Sequence, residues 1–205
     1  MVMEAFPVVE CRPAVVHWPA SIRMTAEQFW EISQANPEAS LELSAEGDLV
    51  IMPPTGGSTG AQNHEIELQL GTWAKAEGTG MVFGPATGFV LPNGSIRSPD
   101  VAWVRRDRLV RLTATQKTRF LPLCPDFVVE LRSPSDSLAV LEAKMAEYAA
   151  NGARLGWLID PGERRVYVYR SGAERESIEN PTAISGEPVL HGFVLDVRPI
   201  WNAAF

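Results

Sequence analysis

One short apolar strand, at residues 127–131, constrains the fold more than any other stretch of the sequence. The letters Phe-Val-Val-Glu-Leu follow a Pro-Asp pair and run into Arg-Ser-Pro-Ser-Asp, a pattern typical of a strand that ends before a helix. Side chains alternate along a strand, so Glu130 lies on the opposite face from Phe127 and Leu131. Burying a carboxylate on such a strand is costly without a cation, a metal ion or hydrogen-bond donors. The sequence therefore predicts a partner for Glu130.

A second carboxylate stands at the start of another apolar strand, in the segment Ser98-Pro99-Asp100-Val101. Asp126 also follows a proline, but at about 3.3 Å per residue it lies roughly 13 Å from Glu130 along the same strand. That distance is too great for two ligands of one ion, whose oxygen ligands lie at about 2.0–2.6 Å. Asp100, on a neighbouring strand, can meet Glu130 directly. We therefore predict that Asp100 and Glu130 together bind one divalent ion, Mg²⁺ or Mn²⁺.

These two acids belong to a longer, ordered set of motifs. The set comprises Thr55-Gly56-Gly57, Gly88-Phe89, Leu91-Pro92-Asn93-Gly94, Ser98-Pro99-Asp100, the run from Pro125 to Ser133, Asp136, Lys144, Tyr148 and Gly156-Trp157-Leu158-Ile159-Asp160-Pro161. In this order the motifs resemble the Uma-type (Uma-two) family of endonucleases, which belongs to the restriction-endonuclease-like PD-(D/E)XK superfamily. The resemblance covers roughly residues 25 to 200.

The resemblance implies a metal-dependent endonuclease that hydrolyses DNA phosphodiester bonds. In the superfamily pattern a catalytic lysine lies two residues after the glutamate, but Arg132 occupies this position. Arginine binds phosphate through a planar fork, yet it cannot be deprotonated and its geometry differs. Lys144, on the following helix, is the family-like alternative. We predict that Lys144 takes the catalytic position and that Arg132 contacts phosphate or a carboxylate.

Folds of this kind often supply an accessory carboxylate from their first long helix, which makes Glu65 the candidate third metal ligand. Ile66, Leu70 and Trp73 recur at helical spacing and predict that helix from about Thr59 to Glu77. Glu65 lies on the flank of this apolar face. The alternative is an ordinary solvated position on the helix surface.

Apolar strands alternate with two long helical patterns, which predicts an α/β protein. With the resemblance, this becomes a restriction-endonuclease-like core: a mixed central β-sheet flanked by helices, with extra N-terminal and C-terminal β-hairpins. We expect an N-terminal arm at residues 1–24, where prolines occur without a sustained period, and a single nuclease domain at residues 25–205. A chain of 205 residues with 45% hydrophobic residues can bury one substantial core.

Local patterns predict several boundaries in the first part of the domain. Thr25 and Gln28 form a capping box for a helix that ends before Pro37. Gly47 supplies the tight turn of a hairpin. The segment 53–60 is rich in proline and glycine but lacks the Lys-Ser/Thr ending of a nucleotide-binding loop, so it predicts a flexible connector.

The second part of the chain predicts one helix and a loosely structured tail. Ser135-Asp136 predicts the N-cap of a helix that runs to Asn151. The tail from Arg175 to Phe205 has prolines and a glycine between short apolar runs, which predicts edge strands or an arm. Such elements can contact a second copy, and cleavage of a duplex needs two sites, so we expect a homodimer.

The net charge of −7 argues against a broadly basic nucleic-acid binder. A local cluster of cations nevertheless follows the Asp100 strand. Its members are Arg105, Arg106, Arg108, Arg111, Lys117 and Arg119. This cluster is either a solvated surface or a phosphate track beside the site, because the distribution of charge matters more than the total. DNA is the expected partner.

No run of eighteen apolar residues occurs, and the N-terminus lacks the basic start and apolar stretch of a signal peptide. We therefore expect no membrane association and a cytoplasmic location. Cys11 and Cys124 have neither metal-site spacing nor a disulfide framework, which suits a reducing compartment.

A second class of function is a catalytically weak nuclease fold that binds DNA or protein. In that case Glu130 and Arg132 form an internal ion pair, and metal dependence distinguishes the two functions. A two-carboxylate glycoside hydrolase is disfavoured, because no aromatic-rich sugar cleft is evident and the order of the motifs speaks against it.

Overall fold

The computed structural model of this chain describes residues 13–19 and 21–202. Within them the chain forms thirteen strands and six helices. The strands are β1 (Ala14–Val16), β2 (Ser40–Leu43), β3 (Leu49–Met52), β4 (Gly80–Phe83), β5 (Phe89–Val90), β6 (Ile96–Arg97), β7 (Val101–Arg105), β8 (Phe127–Leu131), β9 (Leu155–Asp160), β10 (Arg165–Arg170), β11 (Glu176–Glu179), β12 (Ala183–Ser185) and β13 (Val194–Asp196). The helices are α1 (Ala26–Ala35), α2 (Gly57–Glu77), α3 (Arg106–Leu109), α4 (Ala114–Lys117), α5 (Leu138–Ala150) and α6 (Arg198–Trp201).

A mixed six-stranded sheet forms the centre of the fold, in the order β11-β10-β9-β8-β7-β4. β8 and β9 are parallel, and the other neighbouring strands are antiparallel. A parallel pair needs a crossover connection, and α5 lies between β8 and β9 in the chain. The predicted α/β fold with a mixed central sheet is confirmed.

Helices cover both faces of this sheet because its middle strands are apolar on both sides. Val129 of β8 shares one buried cluster with Leu70 of α2. Val128 shares a second buried cluster with Met145 of α5. Because side chains alternate along the strand, Glu130 lies on the same side as Val128 and therefore faces α5.

A second, antiparallel sheet has the order β1-β3-β2-β6-β5. β2 and β3 form the predicted hairpin, and Gly47 in its turn has a φ of 95°, which favours glycine. Leu43 and Ile96 of this sheet form a small buried cluster with Phe29 of α1. The sheet also carries a buried acid, Glu42, next to Leu43 on β2.

Two helices begin elsewhere than predicted. α2 starts at Gly57, inside the segment predicted as a connector, and Gly56 is its extended N-cap residue. Glycine is tolerated at this position, so the Gly-rich sequence does not prevent the helix. α5 starts at Leu138, because the Asp136 carboxylate accepts the Ser133 N–H at 2.8 Å and closes a turn before the helix.

Both ends of the described chain pack onto the rest of the fold. β12 and β13 pair as a C-terminal hairpin, and Leu195 and Ile200 join the core on the α2 side, so this tail is more than an edge or an arm. β1, inside the predicted arm of residues 1–24, pairs with β3, while residues 1–12 lie outside the described residues. The capping box predicted at the start of α1 is present. None of the described helices is long and apolar enough to cross a membrane.

Candidate active site

The antiparallel register of β7 and β8 brings Asp100 to Glu130. Val101 lies opposite Val129, so the residue just before β7 lies beside Glu130. The Leu131 backbone N–H donates to Asp100 Oδ2 at 2.7 Å and ties this side chain to β8. The two acids predicted to act together therefore meet at one end of the strand pair.

Asp126, the aspartate of the other Pro-Asp pair, lies at the opposite end of the same two strands. Its Oδ2 accepts the Arg105 backbone N–H at 3.0 Å and lies 3.0 Å from Arg108 Nη1. Arg105 is the last residue of β7, whereas Asp100 precedes the first. The structure thus separates Asp126 from the Asp100–Glu130 cluster, as the distance argument predicts.

Two members of the predicted cation cluster, Arg105 and Arg108, lie at that far end too, beside Asp126. At about 3.3 Å per residue, the extended strand separates Arg105 from Asp100 by roughly 16 Å. Several cations are already paired with acids: Arg105 with Asp107, Arg108 with Asp126 and Arg119 with Glu27. The strand therefore carries Arg105 away from Asp100, and the role of the cluster as a phosphate track stays a prediction.

Glu130 is almost completely enclosed, with 4% of its surface exposed, and α5 supplies two polar partners. Lys144 Nζ lies 2.9 Å from Glu130 Oε1. The Tyr148 hydroxyl donates to the same oxygen at 3.0 Å. Lys144 and Tyr148 are four residues apart, so both side chains leave the same face of the helix. Lys144 therefore occupies the position beside the glutamate, and its catalytic action stays a prediction.

Arg132 contacts a different acid. Its Nη1 lies 2.6 Å from Asp160 Oδ2, and its Nε donates to the Asp136 carbonyl at 3.2 Å. Asp160 also accepts the Glu163 N–H at 3.1 Å and so caps the turn after β9, as predicted. None of the polar contacts of Arg132 within the described chain is with Glu130, so the suggested internal pair between these two residues does not form.

A third buried acid, Glu42 of β2, reaches the same lysine and is missing from the predicted site. Its Oε1 lies 2.9 Å from Lys144 Nζ and accepts the Ser98 N–H at 2.8 Å, while its Oε2 lies 3.2 Å from Arg97 Nη1. Arg97 Nε in turn lies 2.6 Å from Glu147 Oε2. The letters Leu-Glu-Leu carry the signal that singled out β8, an acid on an apolar strand, and that signal could have identified Glu42.

Helix α2 sends Asn63 to the cluster in place of Glu65. Asn63 Nδ2 donates to Asp100 Oδ1 at 3.0 Å, and Asn63 Oδ1 is buried without a hydrogen-bond partner in the described part of the chain. Glu65 Oε1 instead accepts the Gln69 amide at 2.8 Å, and Gln69 also donates to the Asp196 carbonyl. Residues two apart on a helix leave on different faces, so Asn63 and Glu65 cannot both meet Asp100. The structure does not bring the predicted third ligand to the site.

Burial and like charges raise the proton affinity of both predicted metal ligands. Burial raises the pKa of Glu130 to about 8, with Asp100 and Glu42 adding to the rise and Lys144 opposing it. Burial also raises the pKa of Asp100, although the Leu131 N–H opposes the change. For Lys144 burial disfavours the ammonium, but Glu130 and Glu42 outweigh it and raise the pKa. The cluster thus has more acid than one ammonium neutralises, which a divalent ion would relieve.

A divalent ion fits this pair of acids. No group of three or more His, Cys, Asp or Glu side chains suited to a metal ion occurs among residues 13–19 and 21–202. Mg²⁺, however, is usually bound by one or two carboxylates, with waters and substrate phosphates as the other ligands. Asp100 and Glu130 are such a pair, and the unpartnered Asn63 Oδ1 is a further oxygen next to Asp100. An all-oxygen set suits Mg²⁺ or Mn²⁺.

The chain is similar to known proteins in sequence and in fold. The sequence profile of the Uma2 family, described as "Putative restriction endonuclease", matches residues 26–198. The chain belongs to the Uma2 family. Its fold is similar to the crystal structure of a "putative nuclease belonging to DUF820" from Anabaena variabilis, with a TM-score of 0.74 and 20% identity over 88% of this chain and 98% of that chain. No curated protein matches the chain.

Membership of the Uma2 family confirms the resemblance that the ordered motifs indicate. The matched range contains every residue of the cluster, namely Glu42, Asn63, Arg97, Asp100, Glu130, Lys144 and Tyr148. In this Uma2 protein the cluster joins both sheets, α2 and α5. Its acids can hold a cation, and its ammonium can neutralise negative charge on a bound group.

Proposed function

We propose that this Uma2 protein is a divalent-metal-dependent endonuclease that hydrolyses phosphodiester bonds in DNA. The observation that carries the proposal is the 2.9 Å contact between Lys144 Nζ and Glu130 Oε1 at the strand end where Asp100 lies. Two adjacent acids can hold an ion that activates water and phosphate, and a fixed cation can stabilise the charge that develops during hydrolysis of a phosphodiester. The description of the family and the name of the similar nuclease support the same class of reaction.

Asp100 and Glu130 would hold the ion. When bound, the ion supplies Lewis-acid activation of a phosphate oxygen and of water. Asp100 accepts hydrogen bonds from the Leu131 N–H and the Asn63 amide, and Glu130 accepts one from the Tyr148 hydroxyl. These donors orient both carboxylates before a ligand arrives, which limits the reorganisation that binding needs.

Lys144 contributes a fixed positive charge. Its raised pKa, caused by Glu130 and Glu42, keeps the side chain protonated at neutral pH. We therefore assign it the stabilisation of negative charge on the phosphate, rather than the removal of a proton from water. Its contact with Glu130 places this charge next to the acids that would hold the ion.

The decisive experiment is incubation of the purified protein with supercoiled plasmid, linear duplex, single-stranded and branched DNA. Each substrate is tested with Mg²⁺, with Mn²⁺ and with EDTA. We expect cleavage by the wild-type protein only with a divalent ion, and none by Asp100→Asn. Binding of DNA without cleavage would favour the alternative, a binding module of the nuclease fold. Cleavage that persists in EDTA contradicts the proposal.

We also propose that the protein acts as a homodimer, because cutting both strands of a duplex needs two sites. The central sheet ends in two edge strands, β4 and β11, and Met81 on β4 is exposed. An uncovered edge can pair with the same edge of a second copy. Light scattering at tens of micromolar protein should give the mass of two chains. A monomer, with and without DNA, contradicts this part of the proposal.

A further inference from the structure

Two acids from different sheets share the ammonium of Lys144. Glu130 lies on β8 of the central sheet and Glu42 on β2 of the second sheet, and Nζ is 2.9 Å from Oε1 of each. Only 10% of the Lys144 side chain is exposed. An ammonium has three N–H donors, so these two contacts set the direction of the side chain.

Glu42 is held more firmly than Glu130. Besides Lys144, it accepts the Ser98 N–H at 2.8 Å and lies 3.2 Å from Arg97 Nη1. Glu130 has only the Tyr148 hydroxyl in addition to Lys144 among its partners in the described chain. The charges around Glu42 have the same effect. Burial alone would raise the pKa of Glu42, but Lys144 and Arg97 outweigh burial, so the pKa is lowered and Glu42 stays ionised.

Glu42 and Glu130 would respond differently to a bound metal ion. A divalent ion bound by Glu130 competes with the ammonium for the same carboxylate. Both oxygens of Glu42 are already engaged, one by Lys144 and Ser98 and the other by Arg97. Glu42 is therefore free to keep its contact with Lys144 while Glu130 changes partner. Without Glu42, no acid of the described chain would remain in direct contact with the buried ammonium once Glu130 binds the ion.

We propose that Glu42 is a positioning residue, which holds the Lys144 ammonium beside the site while Glu130 binds the divalent ion. The catalytic part of this inference rests on the proposed function. The contact between Glu42 and Lys144 can also be tested without any cleavage, so that a failure of one proposal is distinguishable from a failure of the other.

Glu147 provides a matched control. It contacts Arg97, as Glu42 does, but the hydrogen bonds of its carboxylate within the described chain are with Arg97 and Asn93 and not with Lys144. If Glu42 serves only to neutralise Arg97, Glu147→Gln and Glu42→Gln should have similar effects. If Glu42 acts through Lys144, only Glu42→Gln should affect the reaction.

Kinetics test the catalytic part. We expect Glu42→Gln to lower kcat about 10- to 100-fold, as for partners that orient an active-site group, with KM for DNA little changed. Glu147→Gln should keep a kcat near that of the wild type. The combination of Glu42→Gln with Lys144→Met should be no slower than Lys144→Met alone, because both changes remove the same interaction. Equal losses in Glu42→Gln and Glu147→Gln, or fully additive losses in the double variant, overturn the proposal.

Nitrogen NMR of the lysine ammonium groups tests the contact itself. The chain has three lysines, and Lys75 and Lys117 are exposed, so one slowly exchanging ammonium signal should belong to Lys144. We expect this signal to persist in the wild-type protein when Mg²⁺ is added. It should disappear in Glu42→Gln and remain in Glu147→Gln.

This measurement does not depend on a variant that folds, because the wild-type protein alone can contradict the proposal. Loss of the slow signal on addition of Mg²⁺ means that Glu130 was the acid that held Lys144, and Glu42 then has no positioning action. A wild-type protein that cleaves no DNA refutes the proposed function instead, and the NMR result still decides whether Glu42 holds the lysine.

Discussion

Two Pro-Asp pairs with similar local sequences have opposite surroundings in this protein. Pro99-Asp100 precedes β7 and Pro125-Asp126 precedes β8. Because these strands are antiparallel, the two aspartates lie at opposite ends of the pair. Asp126 meets a guanidinium, that of Arg108. Asp100 meets neutral donors and a second acid, Glu130.

The difference shows that neighbours, and not the dipeptide, decide what an aspartate does. At Asp126 the charge of Arg108 balances the buried carboxylate, as expected of a group that stabilises the fold. At Asp100 burial raises the pKa, so ionisation costs more free energy than in water, a cost that a bound cation would offset. Such a local cost is typical of functional sites. Three further pairs of similar residues also differ in their neighbours. They are Lys144 and Arg132, Glu130 and Glu42, and Tyr148 and Tyr169.

We expect the largest difference between variants of the two aspartates, Asp100 and Asp126. Asp100→Asn should abolish Mn²⁺ binding in calorimetry and lower cleavage more than about 100-fold, while the unfolding free energy stays equal or rises because an unfavourable acid is removed. Asp126→Asn should keep metal binding and cleavage. It should lower the unfolding free energy by about 1.5–3 kcal/mol, the range for hydrogen bonds to charged groups. Loss of metal binding in Asp126→Asn alone would reverse the assignment.

The two cations provide the next test. Lys144→Met should lower kcat by about 10²- to 10³-fold, as for removal of a group that stabilises developing charge, with DNA affinity nearly unchanged. Arg132→Met should leave kcat within severalfold of the wild type but reduce stability, because the buried Asp160 loses its cationic partner. Both rates are measured on variants that circular dichroism reports as folded. If Arg132→Met abolishes cleavage and Lys144→Met does not, the arginine is the catalytic cation.

The sequence predicts the central pair of acids because strand geometry alone determines it. Alternation singles out Glu130, and the rise per residue excludes Asp126 as its metal-binding partner. The position of Lys144 beside Glu130 also follows from a local rule, since α5 is the crossover that returns over β8. These inferences need only neighbouring elements.

The contacts that the sequence does not predict all depend on how distant elements pack. Glu42 lies on another sheet, and no local pattern states that β2 meets α5. Asn63 and Glu65 differ only in the side of α2 that they occupy, which is set by how the helix rotates against the sheet.

The third prediction compares two buried glutamates by pH. The folded pKa of Glu130 is raised from 4.5 to about 8, so its contribution to stability is complete below 4.5 and is lost as the pH rises through 8. The pKa of Glu42 is lowered, because Lys144 and Arg97 outweigh the effect of burial. Its contribution is present above 4.5 and is lost as the pH falls below that value.

Urea unfolding in EDTA at pH 6 and pH 9 measures this difference. The unfolding free energy of the wild-type protein should fall by about 1.4 kcal/mol or more from pH 6 to pH 9, because one pKa unit corresponds to about 1.4 kcal/mol. Glu130→Gln should remove that loss. Glu42→Gln should keep it and be less stable at both values. A wild-type protein with equal stability at pH 6 and pH 9 contradicts the raised pKa of Glu130.

The smallest effect should separate Tyr148 from Tyr169. Both hydroxyl oxygens are buried, but the Tyr148 hydroxyl donates to Glu130 at 3.0 Å, and the Tyr169 hydroxyl has no hydrogen-bond partner in the described chain. Tyr148→Phe should lower the unfolding free energy by about 0.5–1.5 kcal/mol, the net value of a typical hydrogen bond. Tyr169→Phe should leave it unchanged or raise it, because it removes an unpaired polar group.

The two Phe variants are matched in chemistry, since each loses one oxygen and keeps an aromatic ring, which at Tyr148 lies in the buried cluster on the α5 side and at Tyr169 packs against it. The difference between the unfolding free energies of these two variants at one pH therefore measures the hydrogen bond to Glu130, with little contribution from packing. If the two variants lose equal stability, the hydroxyl of Tyr148 does not orient Glu130. Among the described residues, Lys144 would then be the only side chain that holds this carboxylate in place, and a change of partner at Glu130 would release the carboxylate to the metal ion.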